Sequence, residues 1–160
     1  MTTSSSASTS ATGTGTGSRS LVELAALLVG ATFLLVGVLG FLPGVTTHYS
    51  DLSGAGTGST AKLLGIFQVS VLHNVVHLLF GIAGLALART ASGARTFLVG
   101  GGVIYLALWV YGLVIDKASN ANFVPFNTAD NWLHFVLGVA MLGLGVTLAK
   151  QNRASSSSAG

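Results

Sequence analysis

The sequence predicts an all-α polytopic membrane protein, four transmembrane helices in one bundle, built as two parallel helical-hairpin repeats. Three observations carry this reading. Only 7% of the 160 residues are charged while 51% are hydrophobic, whereas soluble domains carry about 25% charged residues to keep their surfaces wetted. Four apolar blocks of membrane-crossing length stand between polar segments. The second and fourth of these blocks begin with the same arrangement of polar residues.

Taken in order, residues 1–20 are almost entirely Ser, Thr, Gly and Ala, and residues 151–160 are similar. Neither tail can bury enough apolar surface to offset the entropy of ordering, so both are expected to be disordered. The membrane domain is then 21–150, with spans at about 21–42, 71–89, 97–115 and 128–149. Each is long enough to cross a hydrocarbon core of about 30 Å. In lipid the backbone must close its hydrogen bonds internally, so each block should be a helix. The first block is longer than the apolar core of a signal peptide, and no A-x-A-like site follows it; a retained span is expected.

Basic residues orient the bundle. Arg19, Arg89, Arg95, Lys150 and Arg153 fall on one side and Lys62 and Lys117 on the other. The bias places both termini in the cytoplasm of a cell-membrane protein, with loops 43–70 and 116–127 outside. Trp109, Tyr111 and Trp132 fall near that outer boundary, where amphipathic rings settle. The net charge of +3 comes from isolated basic residues; they form no stripe that could follow phosphates, so nucleic acid is excluded as a partner. The chain has no cysteine, which excludes disulfides, thiolate metal sites and covalent haem attachment.

Laying the second span over the fourth, 57 positions on, puts Ser70 on Asn127, His73 on Asp130, Asn74 on Asn131, His77 on His134 and Gly81 on Gly138. Ser70 and Asn127 are good N-cap residues, and N-T-A-D at 127–130 resembles a capping box with its acid shortened by one carbon. Asp130 also suits the positive end of a helix dipole. Capping does not explain His77 and His134, which lie about 10 Å further along at 1.5 Å per residue. His73, His77 and Gly81 form one i, i+4, i+8 stripe, and Asp130, His134 and Gly138 form its counterpart. The glycines permit close backbone approach. Polar groups at such depth face the bundle interior. Two stripes facing one another would make a polar cluster of His73, Asn74, His77, Asp130, Asn131 and His134 in the outer half.

H-N-x-x-H-x-x-x-G at His73–Gly81, with N-x-x-H-x-x-x-G at Asn131–Gly138, resembles a family of bacterial four-span membrane proteins known only as a domain of unknown function. The resemblance covers about 21–150 and leaves out both tails. It implies a multi-pass membrane protein and no particular activity, substrate or cofactor.

Several functions compete for the cluster. The spacing of HNVVH matches a zinc-protease H-E-x-x-H, but Asn74 stands where the proton-accepting glutamate belongs, and an amide cannot do that work. No complete catalytic constellation is visible, so no enzyme is expected. His73, His77, Asp130 and His134 offer nitrogen and oxygen ligands that a divalent metal would accept. Haem held between His77 and His134 is the related alternative. A small-molecule or ion transporter is the second alternative, since intramembrane histidines can mark proton paths. The inner half, however, offers only Glu23, expected to pair with Arg19 one turn earlier. The preferred expectation is a satisfied structural network in a structural or partner-binding protein with no cofactor. Its partners are the lipid bilayer and, as an open choice, a second copy or another membrane protein. Gly30, Gly37 and Gly40, with Gly100–Gly102, suit close packing within the bundle better than dimerisation. Ser53–Thr60 lacks the Lys-Ser/Thr and the strand of a phosphate-binding loop and reads as a flexible connector.

Overall fold

The computed structural model describes residues 19–157; the expectation for the N-terminal tail therefore lies outside the described residues. Four helices dominate the chain, α1 (Leu21–Leu39), α2 (Val71–Leu87), α3 (Ala91–Val114) and α4 (Thr128–Ser157). Three of them are long and apolar enough to cross a membrane, while α2 is apolar but shorter at 17 residues. Apolar side chains turned away from the protein, such as Leu28, Leu79 and Val136, give each helix a face that suits lipid.

The helix limits depart from the hydropathy blocks in an instructive way. α3 starts at Ala91, ahead of the expected 97, because the Thr90 hydroxyl accepts from the Gly93 amide at 3.1 Å and caps it there. α4 runs to Ser157 instead of ending near 149, so most of the segment expected to be disordered continues the helix. Lys, Gln, Arg and Ala are good helix formers, and extending an existing helix costs little. α1 stops at Leu39, short of 42, in a turn before Pro43, where the Thr46 hydroxyl donates to the Leu39 and Gly40 carbonyls. Hydropathy marks the hydrocarbon; caps mark the helix.

The long α1–α2 connection is not a plain linker. It holds a three-stranded antiparallel sheet of two-residue strands, β1 (Thr46–Thr47), β2 (Lys62–Leu63) and β3 (Phe67–Gln68), with a 3-10 turn at Tyr49–Asp51. The Gly-rich segment expected to be a flexible connector folds over the start of α2. The Val71 and Leu72 amides donate to the Ser53 and Gly54 carbonyls at 2.9 Å each. The Ser70 hydroxyl accepts from His73 N at 3.1 Å, and the Ser59 hydroxyl donates to the Val69 carbonyl at 2.6 Å. The first amides of a helix have no partner within it, and here the loop supplies the acceptors. A small core of Ala61, Leu63 and Val69 lies beneath.

α1 packs along α2 and α3 along α4, giving two helical hairpins that meet mainly through α1 and α3. The repeat extends to the first helix of each hairpin, at a spacing of 72 residues from Gly30 to Gly102. A Cβ on Gly30 would fall 3.0 Å from the Leu85 amide nitrogen and 3.2 Å from the Gly81 carbonyl; on Gly102 it would fall 2.7 Å from that of Leu142 and 2.9 Å from that of Gly138. Leu85 and Leu142, like Gly81 and Gly138, are the positions already matched 57 apart. Gly40 and Gly112 repeat the relation one layer on, each facing the amide of Asn74 or Asn131 so closely that a Cβ would collide with it. The α1 glycines are thus spent inside the protomer, as are Gly101 and Gly102, while Gly100 faces open space. Glu23 corrects another expectation: its carboxylate accepts from the Ser20 amide at 2.8 Å and caps α1; no ion pair with Arg19 is found among the described residues.

Candidate functional site

The buried polar side chains among the described residues gather at the loop end of the bundle: Ser70, His73 and Asn74 around the start of α2, Asp130, Asn131 and His134 in α4, and Thr46, Ser59 and Asn122 in the loops. Among the residues whose side chains are described, no comparable trail continues toward the other end.

His73 and Asp130, matched in the repeat, make matched bonds that cross between hairpins. His73 Nδ1 lies 2.9 Å from the Pro125 carbonyl, just before α4. Asp130 Oδ2 accepts from the Gln68 amide at 2.9 Å, just before α2. Gln68 and Pro125 are themselves 57 positions apart. Each hairpin therefore reaches from the same place on its second helix to the same place in the other hairpin's loop. Because the acceptor for His73 is a carbonyl, Nδ1 carries the proton and Nε2 keeps its lone pair.

Asp130 also closes a reciprocal cap, with Oδ2 accepting from the Asn127 amide at 2.9 Å and its own amide donating to Asn127 Oδ1 at 3.1 Å. Its carboxylate is committed to two backbone amides, one in each hairpin. Asn127 Nδ2 adds a bond to the Ile66 carbonyl at 2.7 Å, and the Gly56 amide one to the Phe123 carbonyl at 2.8 Å, so the two loops form one cap.

His77 Nδ1 donates back to the His73 carbonyl at 3.0 Å, and the two rings stack with centroids 4.7 Å apart. The rings of His77 and His134 are separated by a quasi-symmetric aromatic row. His77 lies 5.7 Å from Phe33, Phe33 lies 5.4 Å from Tyr105, and Tyr105 lies 5.2 Å from His134. Phe33 and Tyr105 are again 72 positions apart. The two stripes thus meet through α1 and α3 rather than directly. His73, His77 and His134 nevertheless line one cavity of about 130 Å³, together with Tyr105 and the loop residues Phe123 and Phe126. Gly81 packs on Leu34 and Gly138 on Leu106, as close-packing positions do.

Asn74 and Asn131 are buried against Gly40 and Gly112, with Asn74 Nδ2 and Asn131 Oδ1 lacking partners. Among the described residues no group of three or more His, Asp or Glu side chains is placed to hold a metal ion. His73, His77, Asp130 and His134 share a neighbourhood, but the Asp130 carboxylate is turned to the helix start. Phe33, Tyr105, Gln68, Pro125 and Asn122 escaped the sequence reading. The pattern G-x-x-[F/Y]-L-x5-G, at Gly30–Gly40 and Gly102–Gly112, could have found the first two. Asn122 could not be found that way; it ties the α3–α4 loop by bonds to the Lys117 and Phe126 carbonyls at 3.0 and 3.2 Å.

These features define a class, a membrane-embedded helical bundle made of two like hairpins under a shared polar cap. The chain belongs to the family DUF4383, a domain of unknown function, whose sequence model matches residues 23–147. No curated protein and no solved structure gave a match.

Proposed function

We propose that this is a non-enzymatic membrane protein, structural or partner-binding, in which the His/Asn/Asp cluster holds the two hairpins together through His73 and Asp130. The observation that carries the reading is the reciprocal pair of bonds, His73 to the Pro125 carbonyl and Asp130 to the Gln68 amide. Buried polar groups cost free energy unless they are hydrogen-bonded, and these are matched to backbone groups across the hairpin boundary. Both amides converge on one oxygen, Asp130 Oδ2, so that oxygen ties the backbones of the two hairpins to a single atom. A porphyrin asks for far more room than a single-ring cavity of about 130 Å³ between the histidines. The protein purified in mild detergent should therefore show no Soret band and substoichiometric metal by elemental analysis. A Soret band, or near one metal per chain lost on replacing His77 or His134, would overturn the reading.

The charge bias supports placing the protein in a cell membrane with both termini cytoplasmic and the polar cap outside. Ala55 and Asn120 are exposed in the two loops and Ser92 is exposed at the opposite end. In intact cells Ala55→Cys and Asn120→Cys should react with an impermeant thiol reagent, and Ser92→Cys should react only after lysis. The reverse pattern would invert the orientation and leave the fold untouched.

A further inference from the structure

The repeat places two equivalent seams in the bundle, and they have diverged. Where α1 meets α4, the seam is lined by Val36, Leu133, Phe33 and His77 and holds a cavity of about 320 Å³. Where α2 meets α3, the matching positions are Leu108, Val76, Tyr105 and His134, and the cavity is about 130 Å³. The second seam has gained polar groups. Tyr105 stands for Phe33, His73 is added from the start of α2, and the segment 121–126 roofs it. Val76 and Leu108 on its rim are also exposed on the lipid-facing surface, so the cavity reaches the bilayer between α2 and α3.

Its lining is rich in hydrogen-bond acceptors, beside the hydroxyls of Tyr105 and Tyr111. His73 and His77 give their Nδ1 protons to backbone carbonyls, which leaves Nε2 of each an acceptor. His134 is only 7% exposed and lines the cavity; its Nδ1 is sealed off without a partner, so Nε2 is the ring nitrogen left for a guest. No carboxylate lines the cavity, so a cation entering from lipid would lose its hydration with no counter-charge. The surroundings are otherwise aromatic and aliphatic. In size, its volume of about 130 Å³ approaches the roughly 150 Å³ that takes benzene, and the opening between Val76 and Leu108 leaves room for a small ring substituent.

We propose that the α2–α3 seam is a binding site for a neutral, lipid-partitioned single ring bearing a hydroxyl group, of the phenol type, which donates to His134 while its ring packs on Tyr105 and Phe126. This goes beyond the structural role above and stands or falls separately from it.

The test uses the full chain in detergent micelles, with histidine side chains labelled with 15N, titrated with p-cresol and with toluene, which share a ring and a methyl and differ by the hydroxyl. The site predicts saturable shifts of the His134 nitrogens and a Kd for p-cresol at least about tenfold below that for toluene, the size of one hydrogen bond. His134→Leu should bring the two ligands level. Val76→Trp, which plugs the rim and leaves every histidine in the sequence, should abolish saturable binding of both while the helical circular dichroism is kept, so the test survives if His134→Leu does not fold. Equal affinity for the two probes, shifts that rise only linearly as ligand partitions into micelles, or a hydroxyl preference that persists in folded His134→Leu would each overturn the proposal.

Discussion

Replacing Gly138 or Gly81 with leucine should leave little folded protein in the membrane, and alanine at either position should cost about 1–3 kcal/mol through overpacking. A Cβ at Gly81 would fall 2.6 Å from the Leu34 amide nitrogen and 2.8 Å from the Gly30 carbonyl, and at Gly138 it would fall 3.0 Å from the Leu106 amide nitrogen. Those neighbours are backbone, so the helices themselves must separate. The internal control is Gly143→Ala, where a Cβ meets nothing within 4 Å and the higher helix propensity of alanine should be neutral or slightly stabilising. Thermal unfolding of the three alanine variants in one detergent compares them. Equal loss at all three positions would mean that close contact at the paired glycines is not what makes them costly to replace.

Asp130→Ala should be the most damaging change in the polar cap, at about 2–4 kcal/mol. It removes a helix cap, about 0.5–2 kcal/mol, and leaves the Gln68 amide without its acceptor, about 1–3 kcal/mol. His73→Leu loses one bond and leaves the Pro125 carbonyl unpaired, about 1–3 kcal/mol. Asp130→Asn can place its one oxygen where Oδ2 stands and accept from both amides, so it should fall between the wild type and Asp130→Ala and nearer the wild type. Denaturant or thermal unfolding in detergent orders the series; a neutral Asp130→Ala would remove the carboxylate from the account.

Much of this architecture can be read in the sequence. Blocks of lipid-compatible composition reveal the four helices because no other arrangement satisfies the backbone in hydrocarbon. Ser70 and Asn127 mark the starts of α2 and α4 through local capping chemistry, which needs no knowledge of the rest of the chain. The start of α3 was missed for the opposite reason: Thr90 caps a stretch that is polar, and hydropathy sees only what lies in lipid. The three two-residue strands carry no periodicity; they exist because the loop must bring acceptors to the exposed amides of α2.

The candidate site was legible in its membership and not in its geometry. The 57-residue match brought His73, Asn74, His77, Asp130, Asn131 and His134 to notice, but their partners are backbone atoms. The Pro125 carbonyl lies 52 positions from His73 and the Gln68 amide 62 from Asp130. A backbone acceptor has no side-chain signature, so a polar residue meant for one looks like a free ligand. The histidines therefore resemble a metal set in the sequence, while the bonds that His73 and Asp130 Oδ2 make are to backbone atoms.

The most direct test of the claim that the cluster joins the hairpins is amide hydrogen exchange in Asp130→Ala. The Gln68 and Asn127 amides both donate to Asp130 Oδ2, one in each hairpin, whereas the Leu106 amide sits inside α3 and reports general loss of stability. Exchange at Gln68 and Asn127 should accelerate together, and by about tenfold beyond any change at Leu106, the scale set by one lost hydrogen bond. Acceleration at Asn127 alone, with Gln68 following Leu106, would show that Asp130 merely caps its own helix and would contradict the crossed link between hairpins.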